Sequence, residues 1–286
     1  MNHSKLYLGC AVWSYRGWVG NFYPAKTKAK DFLNLYSQQF NTVEGNTTFY
    51  AVPQPKIVIK WVNETTNEFK FCPKFPKTVT HQGLLQPKIT EGLSFLEIMS
   101  GLGAKLGLVF AQLPPSYSPQ YLEDLRQFLI AFKKYHIALE VRHPDWFTSP
   151  HREQLNQLLT ELNIALVLLD TRPIYNCQNN PQANSQRRKP NVPLQPIVTN
   201  NYALIRFISN PERQYNETYL QEWVNKCDRW LKEQKTIYFF VHCPIEEKSP
   251  DTANYFKSLL QKRNIAVEHI ASNSIATPTQ LNLFDV

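Results

Sequence analysis

Eight side chains that can do chemistry recur along this chain at nearly regular intervals. Trp13, Glu44, Lys74, Gln112, Glu140, Asp170, Arg206 and His242 are separated by 31, 30, 38, 28, 30, 36 and 36 residues. Each closes a short apolar run, where a polar group is costly to bury without a partner. Glu44, Glu140, His143 and Asp170 are the candidate catalytic residues, because a carboxylate or imidazole can serve as general base. With His242 they also form a set of hard oxygen and imidazole donors that suits a divalent metal such as Mg²⁺, Mn²⁺ or Zn²⁺. Lys74, Arg142 and Arg206 can hold a phosphate or carboxylate, and Asn46, Gln112 and His242 add hydrogen-bonding groups. Trp13, Tyr15, Trp18 and Tyr50 offer flat faces for a base or a sugar ring. A structural reading stands beside each. Glu140 and Arg142 lie on alternate residues of one strand and can simply pair, and Asn46 and Gln112 can serve backbone groups.

The elements that must position these residues repeat as strand then helix. Apolar runs occur at Leu6–Val12, Thr42–Glu44, Phe69–Phe75, Leu106–Leu113, Ile137–Val141, Ile164–Leu169, Ala203–Ile208 and Ile237–Val241. Such continuous stretches are expected of parallel strands buried on both faces. Helical stripes follow several of them, for example Tyr121, Leu122, Leu125, Phe128, Leu129 and Phe132, or Tyr219, Leu220, Trp223, Val224, Cys227 and Leu231. Eight such units predict an α/β fold, a single (β/α)8 TIM-type barrel over 1–270 with its site at the carboxyl ends of the strands. An open doubly wound sheet usually shows glycines in its first strand–helix turn, and these are missing. Between strands 6 and 7 the rhythm breaks. Residues 171–201 form a long irregular loop rich in Asn, Gln and Pro, with Gln186-Arg187-Arg188-Lys189 at its centre; it reads either as a basic lid or as a solvated insertion.

Composition narrows the function. The net charge of +8, from 31 basic and 23 acidic residues, favours anionic partners, with nucleic acid or phosphorylated small molecules ahead of membranes. There is no Walker or G-x-G-x-x-G sequence. Five scattered cysteines and the lack of a long apolar segment predict a cytoplasmic protein without a disulfide framework or membrane span.

Gly9-x-x-x-Trp13-x-Tyr15-x-x-Trp18-x-Gly20-x-Phe22-Tyr23-Pro24, Glu44-x-Asn46-x-Thr48-Phe49-Tyr50-x-x-Pro53, Phe71-x-x-Lys74, Gln112-Leu113-Pro114-Pro115 and Glu140-Val141-Arg142-His143-Pro144-x-Trp146 resemble the YecE-like barrels, domain of unknown function family 72. The resemblance covers most of the chain and implies a barrel with a shared pocket, but no particular reaction. The second half departs from it: Arg206 precedes Phe207-Ile208-Ser209 rather than a His-Gly element, and His242-Cys243 stands where the family tends to place asparagines. Those changes point to a modified specificity.

The polar tail, 271–286, ends in Gln280-Leu281-Asn282-Leu283-Phe284. It resembles the peptide with which bacterial replication and repair proteins dock on the sliding clamp. Leu281, Leu283 and Phe284 would enter a groove and Gln280 would fix the register. The alternative is packing against the barrel's own helices. The leading expectation is a hydrolase of nucleic-acid metabolism, a metal-assisted phosphodiesterase or repair activity tethered to the clamp. The alternatives are an enzyme acting on a small anionic sugar or phosphate compound and a non-catalytic nucleotide-binding adaptor.

Overall fold

A computed structural model describes residues 5–183 and 188–267. Every apolar run overlaps a strand: β1 (Leu6–Cys10), β2 (Thr42–Gly45), β3 (Lys70–Pro73), β4 (Val109–Gln112), β5 (Ile137–Glu140), β6 (Ala165–Asp170), β7 (Tyr202–Ile208) and β8 (Thr236–His242). All their pairings are parallel, as expected for runs buried on both faces. Six strands form one curled sheet in the order β1-β8-β7-β6-β5-β4, and β2 and β3 form a second. The sequence-based expectation of one continuous barrel ladder is therefore met in part: the fold is α/β and parallel, but the ladder is interrupted at two seams.

Specific contacts join those seams. Between β3 and β4 there are isolated parallel bridges, Phe71 to Leu106 and Lys74 to Phe110. Between β1 and β2, side chains take the place of backbone pairing. The Asn41 amide accepts from Leu8 N at 2.7 Å and donates to Leu6 O at 3.1 Å. The Tyr36 hydroxyl accepts from Cys10 N at 2.6 Å and donates to Thr42 O. Gly9 permits this approach, since a Cβ there would lie 1.9 Å from Thr42 O.

Helices Phe32–Gln39, Pro55–Glu64, Ile89–Ser100, Leu122–Phe132, His151–Glu161, Glu217–Lys232 and Ser249–Lys262 cover the outer face. Glu217–Lys232 shows why: Leu220, Trp223, Val224, Cys227 and Trp230 share one side and are all buried. Each fully buried side chain of this kind contributes about 1.5–3 kcal/mol of transfer free energy. After β6 only a short turn, Arg172–Tyr175, is helical, and the described part of the predicted loop is irregular. Gln186 and Arg187, like the whole 271–286 tail with Gln280, Leu281, Leu283 and Phe284, lie outside the described residues. No helix among the described residues is long and apolar enough to cross a membrane.

Strand alternation sorts the inner face into layers. Tyr7, Cys72, Leu108, Phe110, Ala138, Ala165, Val167, Leu204, Tyr238 and Phe240 form an apolar plug. Further along the same inward rows, at the carboxyl ends, come Glu44, Lys74, Gln112, Glu140, Arg206 and His242.

Candidate anion site at the strand ends

None of those six side chains belongs to a residue more than 5% exposed, yet they are hydrogen-bonded to one another in a continuous chain. His242 Nε2 lies 2.9 Å from Glu44 Oε2. Arg206 donates from Nε and Nη2 to the two Glu44 oxygens at 2.8 Å each, and from Nη1 to Glu140 Oε2. Glu140 Oε1 accepts from Arg142 Nε at 2.6 Å. The Gln112 carbonyl oxygen then accepts from both Arg142 Nη2, at 2.6 Å, and Lys74 Nζ, at 2.7 Å. The Lys74 ammonium also sits 3.9 Å from the centre of the Phe49 ring. Phe110 floors the cluster, 5.8 Å from Lys74 Nζ and 5.5 Å from the Arg206 guanidinium.

Burial and charge set the protonation states together. Burial alone would raise the Glu44 carboxyl, but Arg206 and His242 outweigh it and hold that carboxyl well below the usual range. Burial is likewise overcome at Glu140, where Arg206, Arg142 and Lys74 bring the carboxyl to about 2. Burial lowers His242 to about 4 against the attraction of Glu44, so the imidazole is neutral and its Nε2 donates to the carboxylate. Burial, reinforced by Arg206, lowers Lys74 to about 7. Two carboxylates are thus matched by two guanidinium groups. Lysine charge is in excess.

Three residues that the sequence reading did not single out individually complete the picture. Lys189, half-buried, extends from the long loop to within electrostatic range of Arg206, Glu44, Arg142 and Glu246; burial is the main influence that lowers it to about 8. Glu246 follows β8, and burial pushes its carboxyl up to about 7. Its Oε1 and the nearby Ser249 hydroxyl are buried without a hydrogen-bond partner among the described residues. His81 packs edge-on against Phe49 and is lowered to about 4, by burial first and then by Lys74 and Arg142. In sequence, Lys189 is one charge in a basic run, Glu246 reads as an ordinary first-turn acid, and His81 lies beyond the end of its strand.

Other expected site residues lie elsewhere. Asp170 lies apart from the cluster. On β6 the inward residues are Ala165, Val167 and Leu169, so Asp170, one residue on, faces the helices. There it is gripped by Arg172 through two hydrogen bonds of 2.9 Å and accepts from Trp223 Nε1 at 2.8 Å. His143 caps the turn Pro144–Phe147, its Nδ1 accepting from Asp145 N. Trp13 packs edge-on against Trp61 and Phe71, and Trp18 is buried among Tyr15, Phe22 and Tyr23. Tyr15 donates to Glu247 at 2.5 Å, and Asn46 to Ala11 O at 3.1 Å. Of the four candidate stacking rings only Tyr50 is largely exposed. The divalent-metal expectation also loses its donors, because Glu44 and Glu140 direct their oxygens at arginines. No group of three or more His, Cys, Asp or Glu side chains among the described residues has the geometry to hold a metal.

The family model described as "Protein of unknown function DUF72" matches residues 7–277. The chain is 34% identical to UPF0759 protein YecE of Escherichia coli K12 over 283 residues, covering 98% of this chain and 100% of the relative. It is 24% identical to UPF0759 protein YunF of Bacillus subtilis over 303 residues, with the same coverage. A DUF72 family protein from Enterococcus faecalis superposes with a TM-score of 0.69 at 21% identity, covering 91% of this chain and 99% of that one. One from Thermotoga maritima gives 0.67 at 22% identity, covering 90% and 99%. These structures share the fold.

Proposed function

The chain belongs to the DUF72 family, whose name carries no activity, and from its own residues we propose that it is an enzyme acting on a small anionic compound, a carboxylate or phosphate. One observation carries the reading: the buried cluster contains more cationic than anionic side chains. Glu44 and Glu140 are neutralised by Arg206 and Arg142, which leaves Lys189, and Lys74 below about pH 7, as surplus positive charge. An anion supplied by a ligand would complete the balance, and such pairs gain strength where water is excluded. Arg142 and Lys189 are the partly exposed members and the natural holders of the anionic group. Glu246 is the group poised to exchange a proton near neutral pH. As part of the same reading, the two sheets close into one barrel whose mouth is this site. The Asn41 and Tyr36 bridges and the Glu44–Arg206 pair across the two sheets support that closure.

The nucleic-acid reading asks for a metal centre and an open aromatic platform. Trp13, Tyr15 and Trp18 are engaged in packing or hydrogen bonding, which favours the small-molecule alternative. Calorimetric titration of the full chain with inorganic phosphate, acetate and glyoxylate tests the proposal. Saturable binding should appear and weaken at least tenfold in Arg142→Gln. It should also weaken as pH rises from about 7 through about 8, because Lys74 and then Lys189 lose their charge there. Absence of binding by all three anions at low salt, with steeply salt-dependent binding to duplex DNA instead, would return the argument to nucleic acid.

A further inference from the structure

The anion site holds a lysine placed for more than charge. Lys74 Nζ lies among cations and aromatic rings, with the Phe49 ring 3.9 Å away, Phe110 beyond it, and Arg142 bonded to the same Gln112 oxygen. No carboxylate oxygen among the described residues lies within 4 Å of Nζ, because both neighbouring carboxylates are turned toward arginines. The residue is 5% exposed. A buried amine beside like charges and without a carboxylate partner favours its neutral form, and a neutral amine is a nucleophile. Burial, with Arg206 next, accordingly brings it to about 7.

We infer that Lys74 forms an imine with a carbonyl group on the anionic substrate, so that the substrate class is a small oxo acid or a phosphorylated aldehyde or ketone. The inference rests on the anion-site reading for the rest of the substrate. In the step itself, the Nζ lone pair attacks the carbonyl carbon and a C–N bond forms. The new ammonium passes a proton to the carbonyl oxygen, and the carbinolamine, on taking a second proton from solvent, expels that oxygen as water. The product is a protonated imine, whose positive charge stands where the ammonium stood, so Gln112 and Phe49 stabilise it as they do the lysine. The acid or phosphate group would pair with Arg142 and Lys189. His81, neutral at the edge of Phe49 and within electrostatic range of Lys74, relays that solvent proton, taking it on one ring nitrogen as the other releases its own.

The test uses the intact protein with sodium cyanoborohydride, which reduces an imine to a stable amine that peptide mass spectrometry can locate. Two probes separate the inference from the reading beneath it: formaldehyde, which carries no charge, and glyoxylate, which carries a carboxylate. Formaldehyde at pH 7 should modify Lys74 about tenfold faster than exposed lysines such as Lys60 or Lys232, with a rate that levels off above about pH 7. Glyoxylate should modify the same residue, and Arg142→Gln should slow glyoxylate alone. If phosphate binds but neither aldehyde modifies Lys74 ahead of exposed lysines, the imine inference falls and the anion site stands. If formaldehyde is selective for Lys74 and glyoxylate is not, the anionic substrate class is overturned.

Discussion

Replacing Arg206 by methionine removes the group that holds the two buried carboxylates, and the consequence can be worked out before it is measured. Arg206 makes a two-point contact with Glu44 and a further bond to Glu140, and all three residues are almost fully buried. At an effective dielectric constant of ~20, each charge pair at ~4 Å is worth ~4 kcal/mol. Removing one partner of a buried pair typically costs about 3–5 kcal/mol, because a charge is left behind. Glu44 keeps His242 and Glu140 keeps Arg142, so the expected loss at pH 7 is about 4 kcal/mol rather than twice that. The pH dependence carries the sharper signature. In the native chain both carboxyls are depressed, so their contribution is complete above the ordinary value of 4.5 and is lost as pH falls toward 2. His242 acts in the same direction: it is lowered from 6.5 to about 4, and its contribution is lost as pH falls through that window. Without Arg206, burial dominates and the carboxyls rise above their ordinary values. The folded variant then takes up protons, and its deficit should shrink between pH 7 and pH 5. Urea unfolding followed by the fluorescence of the six tryptophans reads both quantities. A loss below about 1 kcal/mol at pH 7, or a deficit that does not change with pH, would refute the electrostatic account of the cluster.

Two further substitutions probe the frame. Gly9→Ala should destabilise by about 3 kcal/mol or more, since the new methyl would meet Thr42 O at 1.9 Å and force β1 away from β2; near-native urea stability would mean the seam is looser than described. Asp170→Asn should cost about 1.5–3 kcal/mol through its weakened grip on Arg172 while leaving phosphate affinity unchanged. A folded Asp170→Asn protein that no longer binds phosphate would put Asp170 back in the site.

The sequence by itself determined the strands, their parallel arrangement and the end at which the buried polar cluster gathers. Apolar runs of three to eight residues separated by helical stripes have few other ways to bury both faces. It also brought Glu44, Lys74, Gln112, Glu140, Arg206 and His242 to notice, because one polar residue closing each run is a pattern local enough to see. The helix Ile89–Ser100 was less legible: its buried stripe includes Gly92, which makes room for Phe132 but weakens the apolar signal. Tertiary structure alone decided which of the strand-end residues meet. Asp170 and Arg206 look equivalent in sequence, yet adjacent strand positions face opposite sides, so one ties down a helix and the other joins Glu44 to Glu140. The surplus charge was equally hidden. It depends on Arg206 bridging β2 and β5, and on Lys189 reaching the cluster from an irregular loop, contacts between residues more than sixty apart in one case and set by no periodicity in the other. Periodicity fixes which way a side chain points; only the folded chain fixes what it meets there.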